Sequence, residues 1–375
     1  MSDSPAFLLG HARSQDWQQA ATQCLEQMGG IPAQANLGFL YVTDLYADQL
    51  QRILEHLRTV TGVAHWTGTV GIAICAGDRE YAQTSAMAVM IGCFPEHSFR
   101  ILPFYNRTAD RLPASWDNWL RQSDSHVAAV HGDPGNDNLP MLLSQLQKEL
   151  PGGYLVGGIS SSHGSHPQIA DELLDGGLSG VVFNNQVAVA TGLTQGCSLI
   201  GERHTISDCD NNILNGIDNR PALDVFNEDI GEILARDLER AAGYIFIALP
   251  IKGSDTGDYL VRNLIGVDTR GKRIAVGDII YPGQRIQFCR RDGKTAREDM
   301  QRMLDDLQGR LPGPPKGGLY YSCLGRGQAL FGTDSDELDM IRDTLGEFPL
   351  VGFFANGEIC NDQLYGYTGV LTVFT

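Results

Sequence analysis

The chain has 375 residues, enough for two domains or for one large domain built from two halves. Its formal net charge of −17 would repel nucleic-acid backbones and anionic membranes, so we expect neither as a partner. No apolar run reaches the roughly 18–20 residues that span a bilayer, and the N-terminus lacks the basic and apolar segments of a signal peptide. The cysteines are scattered without C-x-x-C or zinc-like spacing. These features predict a soluble cytoplasmic protein with reduced thiols.

Apolar residues recur at helical spacing from Ser14 to about Met28, and Gly29-Gly30 ends this helix. A first group of elements follows, in the order strand, helix, strand, strand. These predicted elements are Leu37–Thr43, Asp48–Leu57, His65–Cys75 and Ser85–Cys93. The same order then returns, with a turn rich in Gly, Asp and Pro after the first strand. Its predicted elements are a strand at His126–Val130, a helix at Leu139–Leu150, and strands at Tyr154–Ile159 and Leu178–Phe183.

The last sixty residues form a third copy of this pattern. Its predicted elements are a strand at Leu319–Cys323, a helix at about Asp336–Leu345, and strands at Pro349–Phe354 and Tyr367–Phe374. Each copy carries a central glycine in its second strand, at Gly68 or Gly71, Gly157 and Gly352. Self-similarity of this kind favours a duplicated α/β architecture. We therefore expect the loops after the strands to occupy equivalent positions around shared sites.

The region between the second and third copies has a different pattern. Strands are predicted here at Val187–Gly192, His204–Asp208, Tyr244–Pro250, Val261–Val267 and Gly283–Arg290. Helices are predicted after Pro221, at Ile230–Ala241 and at Lys294–Leu307. The predicted fold class is α/β, with two related halves of mixed sheets covered by helices and with internal strand–helix–strand repeats. We place the main boundary near Asn219.

Two turns that directly follow strands of the third copy carry candidate ligand-binding residues. These residues are Cys323, Arg326, Asn356 and Glu358. Open α/β sheets place ligand sites at the carboxyl ends of their strands. Arg326 could hold a carboxylate as a bidentate fork and Glu358 could accept an ammonium group, so the pair would suit an amino acid. The alternative is an internal salt bridge that joins the two loops.

The run PLVGFFANGEI, with C-x-G-R-G before it and G-Y-T-G-V after it, resembles the C-terminal half of FIST proteins. These are bacterial sensory modules named for F-box and intracellular signal transduction. The runs YLVGGISSS, GLSGVVF and TGLTQGCSLIG are similar to the N-terminal half. The resemblance implies an N-terminal domain from roughly Ile31 to Asp218 and a C-terminal domain from roughly Asn219 to Cys360, with the strand at 367–374 completing its sheet.

What the resemblance implies for function is a sensory role rather than an enzymatic one. Members of the family are suggested to bind amino acids or similar metabolites. The chain carries no kinase, cyclase or methyl-accepting signature, so its output would pass to a separate signalling protein such as a histidine kinase.

His163 and His166 lie in a Gly/Ser loop directly after the strand that contains Gly157. An imidazole in such a loop could ligate a metal or a haem iron. One branch of FIST proteins of this length binds haem and senses nitric oxide, so the resemblance implies non-covalent haem b with one of these histidines as axial ligand. The alternative is a solvated loop histidine. We place the haem-based nitric-oxide sensor first and an amino-acid or metabolite sensor without haem second.

A cysteine-dependent hydrolase is a weaker alternative, because Cys323 and Cys360 both follow apolar strands. A nucleophilic cysteine needs a histidine base within hydrogen-bond reach. No histidine follows His204 in the chain, so such a pair would have to cross between the halves. A buried, small hydrophobic role is the more common one for such thiols.

Overall fold

The computed structural model describes residues 7–231, 244–251, 259–332 and 336–375. The chain divides into two compact units. The larger unit comprises Met1–Gln195 and Asp299–Thr375, and the smaller unit comprises Gly196–Glu298. Among the helices of the described residues, none is both long enough and apolar enough to cross a lipid bilayer.

The strands of the described residues are numbered along the chain. Those of the first part are β1 (Phe7–Arg13), β2 (Leu37–Thr43), β3 (His65–Gly71), β4 (Ala73–Ala76), β5 (Arg79–Ala82), β6 (Ala86–Gly92), β7 (Phe99–Ile101), β8 (His126–Gly132), β9 (Gly153–Ile159), β10 (Gln168–Ala170), β11 (Glu172–Leu174), β12 (Leu178–Asn184) and β13 (Val189–Gln195). The remaining ones are β14 (Cys197–Asp210), β15 (Ile213–Ile217), β16 (Arg220–Pro221), β17 (Ile245–Pro250), β18 (Tyr259–Asp268), β19 (Arg273–Val276), β20 (Arg285–Arg291), β21 (Gly317–Cys323), β22 (Leu350–Ala355), β23 (Glu358–Cys360), β24 (Gln363–Tyr365) and β25 (Thr368–Phe374).

The helices of the described residues are numbered in the same way. They are α1 (Trp17–Met28), α2 (Leu50–Thr61), α3 (Asp117–Arg121), α4 (Leu139–Glu149), α5 (Ala222–Ile230), α6 (Gly293–Arg310), α7 (Gln328–Phe331) and α8 (Asp336–Leu345). Short 3₁₀ turns at Asp44–Gln49 and Ala114–Trp116 precede α2 and α3. The predicted mixed α/β fold with strand–helix–strand repeats is confirmed. The helix predicted at Ile230–Ala241 lies almost entirely outside the described residues.

Three parallel strand pairs form the framework of the larger unit, and each encloses a helix in the chain between its strands. The pairs are β2–β3, β8–β9 and β21–β22. Their registers are the same, because Leu40 pairs with Gly68, Val130 with Gly157 and Tyr320 with Gly352. A Cβ atom on these glycines would lie 1.8, 1.9 and 1.6 Å from the carbonyl oxygen of the paired residue. Only glycine allows this approach, which explains the glycine of each repeat.

Each pair belongs to a six-stranded sheet. The sheet orders are β1-β6-β2-β3-β10-β11, then β7-β12-β8-β9-β23-β24, then β13-β25-β21-β22-β4-β5. In every sheet the outer hairpin comes from another repeat. The hairpin that follows β3 extends the third sheet, the one that follows β9 extends the first, and the one that follows β22 extends the second. This cyclic exchange of hairpins ties the three repeats into one body.

This exchange also explains where the sequence prediction was wrong. His65–Cys75 was predicted as one strand, but the chain leaves the first sheet at Ile72 and enters the third as β4. The backbone N–H of Ile72 donates to Ser161 Oγ at 2.9 Å at this crossing. Strand β1 and the three short hairpins were not predicted from the sequence.

The smaller unit is built on antiparallel strands in the order β14-β20-β17-β18-β19-β15-β16. Strand β14 also pairs with β15, which closes the strands into a ring. Helix α5 packs its apolar side onto this ring through Leu223, Val225 and Phe226, within a cluster that includes Phe288. This unit therefore has its own hydrophobic core.

Candidate functional site

The third repeat differs from the other two in what its helix packs against. Leu40 of β2 and Val130 of β8, which pair with the repeat glycines, belong to apolar clusters beneath α2 and α4. The equivalent residue of β21 is Tyr320. Its buried hydroxyl donates to the carboxylate of Glu337 on α8. The third repeat thus places polar groups where the other two place leucine and valine.

The exchanged hairpins show the same difference. In each exchanged hairpin, the inner strand pairs with a strand of the repeat, and one of its residues lies opposite the repeat glycine. On the outer strand of the hairpin, one residue pairs with that inner residue. This residue is Leu173 in β11 and Leu364 in β24, and both pack against the apolar clusters. In β5 the equivalent residue is Glu80. A carboxylate therefore occupies a leucine position, beside the third repeat.

A buried ion pair joins α8 to the turn after β21. Arg326 Nε lies 2.7 Å from Glu337 Oε1, and both side chains are fully buried. Ser322 Oγ donates to Glu337 Oε2 at 3.1 Å, and the backbone N–H of Gly327 donates to the same oxygen at 3.3 Å. The Arg326 guanidinium lies 4.9 Å from the ring centre of Phe331. Glu337 is thus surrounded by donors, as a buried carboxylate requires.

This contact keeps Arg326 protonated and positively charged. Burial works to lower the pKa of Arg326, but the carboxylate of Glu337 raises it, and the net pKa is above its ordinary value. Tyr320 stays protonated, because burial raises its pKa well above the usual range. We call these groups the polar centre: Glu80, Tyr320, Ser322, Arg326 and Glu337.

Glu80 is the member of the polar centre that is not fully buried. The residue is half-buried, and its carboxylate lies against Gly327, where an added Cβ would be 3.1 Å from Glu80 Oε2. Burial, together with the nearby charge of Glu337, raises the pKa of Glu80 to about 7. Glu80 also lines a cavity of about 1100 Å³ that opens beside β5.

This cavity, which we call the polar groove, is lined mainly by charged and amide side chains. They come from β1, α1, the hairpin β4–β5, α7 and α8, and include Arg13, Gln23, Gln27, Asp78, Arg79, Glu80, Gln328 and Asp339. His11 Nδ1 and Tyr81 Oη are hydrogen-bonded at 2.6 Å on its wall. Burial, with the nearby Arg79, lowers the pKa of His11, which favours a neutral imidazole. Such a lining suits a polar ligand that carries charges of both signs.

Two of the residues selected from the sequence, Arg326 and Glu358, are close enough to interact electrostatically, but they do not hydrogen-bond to each other. Arg326 takes Glu337 as its carboxylate partner, whereas Glu358 Oε2 accepts from Thr368 N at 3.2 Å and Oγ1 at 2.7 Å. Within the described residues, the buried atoms Arg326 Nη1 and Glu358 Oε1 have no hydrogen-bond partner. Burial raises the pKa of Glu358 to about 8. The expected Arg326–Glu358 ligand clamp stays a prediction.

Asn356 and the cysteines occupy different surroundings. Asn356 is exposed, and its backbone N–H donates to Ile159 O at 2.9 Å. The cysteines are free thiols. Burial raises the pKa of Cys323, which disfavours the thiolate that a nucleophile needs. Cys360 lies 3.0 Å from Tyr154 Oη. These contacts give the hydrolase alternative no support.

The candidate haem ligands lie on the exposed loop after β9. His163 Nδ1 is 2.7 Å from Asp44 Oδ2, and its side chain is 79% exposed. His166 is half-buried, near Asp175. A haem requires an apolar enclosure around its ring, and the exposed Gly164 and Ser165 beside His163 do not provide one. The described residues also contain no group of three or more His, Cys, Asp or Glu placed to hold a metal ion. The surroundings of His163 do not fit haem.

A buried triad at the junction of the repeats was missed by the sequence reasoning. Tyr41 Oη lies 3.0 Å from His131 Nε2 and 3.1 Å from Tyr321 Oη, and all three residues are inaccessible to solvent. Each of them directly follows the strand residue that pairs with its repeat glycine. Burial lowers the pKa of His131 to about 3, so its imidazole is neutral. Aligning the repeats on their glycines would have found this triad.

In the smaller unit, His204 is held between two carboxylates. Its Nδ1 lies 2.6 Å from Asp218 Oδ2 and its Nε2 lies 2.9 Å from Asp229 Oδ2, while its side chain is 10% exposed. Burial works to lower the pKa of His204, but the two carboxylates raise it above its ordinary value. Because both nitrogens face acceptors, the imidazolium form is favoured.

Two family models match the chain, the FIST N domain at residues 36–220 and the FIST C domain at residues 222–361. The chain belongs to the FIST family. An uncharacterized protein of Mycobacterium tuberculosis is 30% identical to it over 372 residues, which covers 95% of each chain. An uncharacterized protein of Mycobacterium bovis is 28% identical over 371 residues, which covers 95% of this chain and 94% of the relative.

Membership of the FIST family indicates a sensory role in signal transduction rather than a catalytic one. It also implies a small ligand. The polar centre lies in the stretch matched by the FIST C model, except for Glu80, which the exchanged hairpin brings from the FIST N stretch.

Proposed function

We propose that this FIST protein senses a small zwitterionic metabolite, of the amino-acid class, that binds in the polar groove. The observation that supports the proposal is that one repeat of three has polar side chains at positions where the other two have leucine and valine, at the place where Glu80 lines a ligand-sized groove. Departures from an otherwise consistent pattern are expected at functional sites.

The groove offers a partner for each end of such a ligand. The Glu80 carboxylate would accept the ammonium group, and Arg79 and Arg13 are placed on the wall to meet a carboxylate. The Arg79 side chain is mostly exposed and its contact to Asp78 is long, at 4.0 Å, so it is free to turn toward a ligand. These roles differ from the clamp of Arg326 and Glu358 expected from the sequence.

Ligand binding at Glu80 would change the electrostatic environment of α8. The charge of Glu337 contributes to the raised pKa of Glu80, so the two carboxylates interact. An ammonium bound at Glu80 would favour its ionised form, release a proton and alter the balance of charge around Glu337. Because Glu337 holds α8 to the turn after β21, this helix would carry the change. A separate signalling protein, such as a histidine kinase, would read it.

Calorimetric titration of the full chain with individual L-amino acids tests the proposal. Glu80→Gln keeps the shape of the side chain and removes its charge, so affinity should fall at least about tenfold. Glu172→Gln is the matched control, since Glu172 is an exposed carboxylate on the corresponding outer strand β11. If no amino acid binds, or if both variants bind like the unmodified chain, the groove is not the sensory site.

Haem-based sensing of nitric oxide is a separate proposal, which comes from the resemblance of the sequence. One contact favours it, since Asp44 holds Nδ1 of His163 and leaves Nε2 available, as carboxylates do for metal-bound histidines. The loop is exposed and polar and does not form the apolar pocket that haem requires, so no step of the mechanism above uses haem. An absorption spectrum after haem titration decides: a Soret band lost in His163→Ala would support the proposal, and a featureless spectrum would end it.

A further inference from the structure

A second cavity lies against α8, at the end of the helix away from the polar centre. Its volume is about 420 Å³, within the range of small-molecule sites. Buried side chains from α8 and β22 form its walls, namely Leu338, Ile341 and Leu350. Leu9 of β1 and Phe348 contribute further apolar surface. The turn of the exchanged hairpin forms one side, where Gly77 N donates to Leu350 O at 2.8 Å.

The charged residues of this cavity are Asp78, Arg342 and Glu347. Arg342 does not present a free positive charge. Its guanidinium lies 2.6 Å from Asp339, 2.9 Å from Asp343 and 3.5 Å from Asp78. The carboxylates thus outnumber the guanidinium, and the electrostatic environment of the cavity favours a cation over an anion.

We propose that this cavity is a second ligand site, which takes an organic amine with an apolar body. The apolar part would fill the space between α8 and β22, and the ammonium group would lie near Asp78 and Glu347. This cavity and the polar groove share Asp78 but differ in chemistry, because a mostly apolar cavity disfavours the polar metabolites that the groove suits. Both sites contact α8, so an amine could modulate the sensory response.

Three matched probes test this site on the full chain: 2-phenylethylamine, 3-phenylpropanoate and 2-phenylethanol. They share a phenyl body and differ in the charge of the head group. With the isoleucine methyl groups labelled, NMR titration should shift the signal of Ile341, which lines the cavity. The amine should bind at least about threefold more tightly than the carboxylate, a difference typical of partly exposed charges. Glu347→Gln should reduce that preference.

A filling variant checks the location. Leu9 is a half-buried wall residue, and Leu9→Trp should occupy the space and abolish binding of the amine. Leu45→Trp, at a residue that is 57% exposed and outside the cavity, is the control and should bind normally.

Equal or tighter binding of the carboxylate would overturn the amine assignment. An unshifted Ile341 signal, or full binding by Leu9→Trp, would overturn the site itself. Neither result bears on Glu80, so the amino-acid proposal for the groove stands or falls separately.

Discussion

The first and second repeats pack leucine and valine beneath α2 and α4, whereas in the third a tyrosine, a serine and an arginine contact Glu337 of α8. The backbone is not the source of the difference, because strand register, central glycine and exchanged hairpin are the same in all three. Apolar burial stabilises at roughly 25 cal/mol per Å², while a buried ion pair adds little net stability. The third repeat thus keeps a costly group of buried polar side chains at positions that are apolar in the other two repeats.

The parallel strand pairing that the repeats share depends on the glycines. Substituting one of these glycines should lower the free energy of unfolding more than the other changes below. In Gly352→Ala the new Cβ would lie 1.6 Å from the carbonyl oxygen of Tyr320, so strands β21 and β22 could not pair. We expect a loss of more than about 3 kcal/mol in the free energy of unfolding, or no soluble protein. Urea denaturation measures this. Gly30→Ala, at an open position, is the control, and equal stability of the two variants would contradict the account.

The polar centre, which distinguishes the third repeat, can be disrupted at its ion pair. Arg326→Ala would leave Glu337 buried without its charge partner, which should cost about 3–5 kcal/mol of unfolding free energy. The double variant Arg326→Met with Glu337→Leu makes the repeat more like its two relatives. It should recover part of that loss, because no charge is left unpaired, but the Tyr320 and Ser322 hydroxyls lose their acceptor. Denaturation curves of the three proteins measure the difference. A double variant as unstable as Arg326→Ala would show that an apolar core cannot replace the polar centre.

The ionic contact of His204 with Asp218 and Asp229, outside the repeats, should have a smaller effect on stability. The pKa of His204 is raised in the folded protein, so its contribution to stability is fully present below its unfolded pKa of 6.5 and is lost as pH rises through the higher folded value. The neutral ring has one N–H and can donate to only one of Asp218 and Asp229. We expect a loss of about 1 kcal/mol or less, because solvent screens part of the contact.

Thermal denaturation as a function of pH measures this effect, with His204→Gln as the comparison. The variant should lose the part of the pH dependence that arises above pH 6.5. An unchanged pH profile in the variant would show that the two carboxylates do not hold an imidazolium.

Local pattern was enough to predict much of the fold. Leu37–Thr43 and Asp336–Leu345 have the bounds that the sequence predicts, because each has the periodicity of its element. The glycines of the repeats were also visible. The exchange of hairpins was not, because a short strand such as Arg79–Ala82 carries no signal for which sheet it extends.

The candidate site was predicted only in part for the same reason. Arg326 was found from its turn and was expected with Glu358 at the two ends of a ligand or in a salt bridge, but the carboxylate that it contacts is Glu337 on the following helix, α8. Glu80 could not be connected to Glu337 at all, since the exchanged hairpin is what brings these two carboxylates close enough to interact. Tertiary pairing, which no local pattern specifies, decides which charges meet.

We propose that the polar centre makes the third repeat the ligand-responsive one, and Glu80→Leu removes the carboxylate that would meet the ligand. This substitution gives β5 a leucine, as the outer strands of the other two exchanged hairpins have at Leu173 and Leu364. The amino-acid panel should be titrated calorimetrically into both proteins, with urea denaturation as the check on folding. The account predicts that Glu80→Leu remains folded, is at least as stable, and no longer binds the ligand of the unmodified chain. Undiminished binding by a folded Glu80→Leu protein would contradict it.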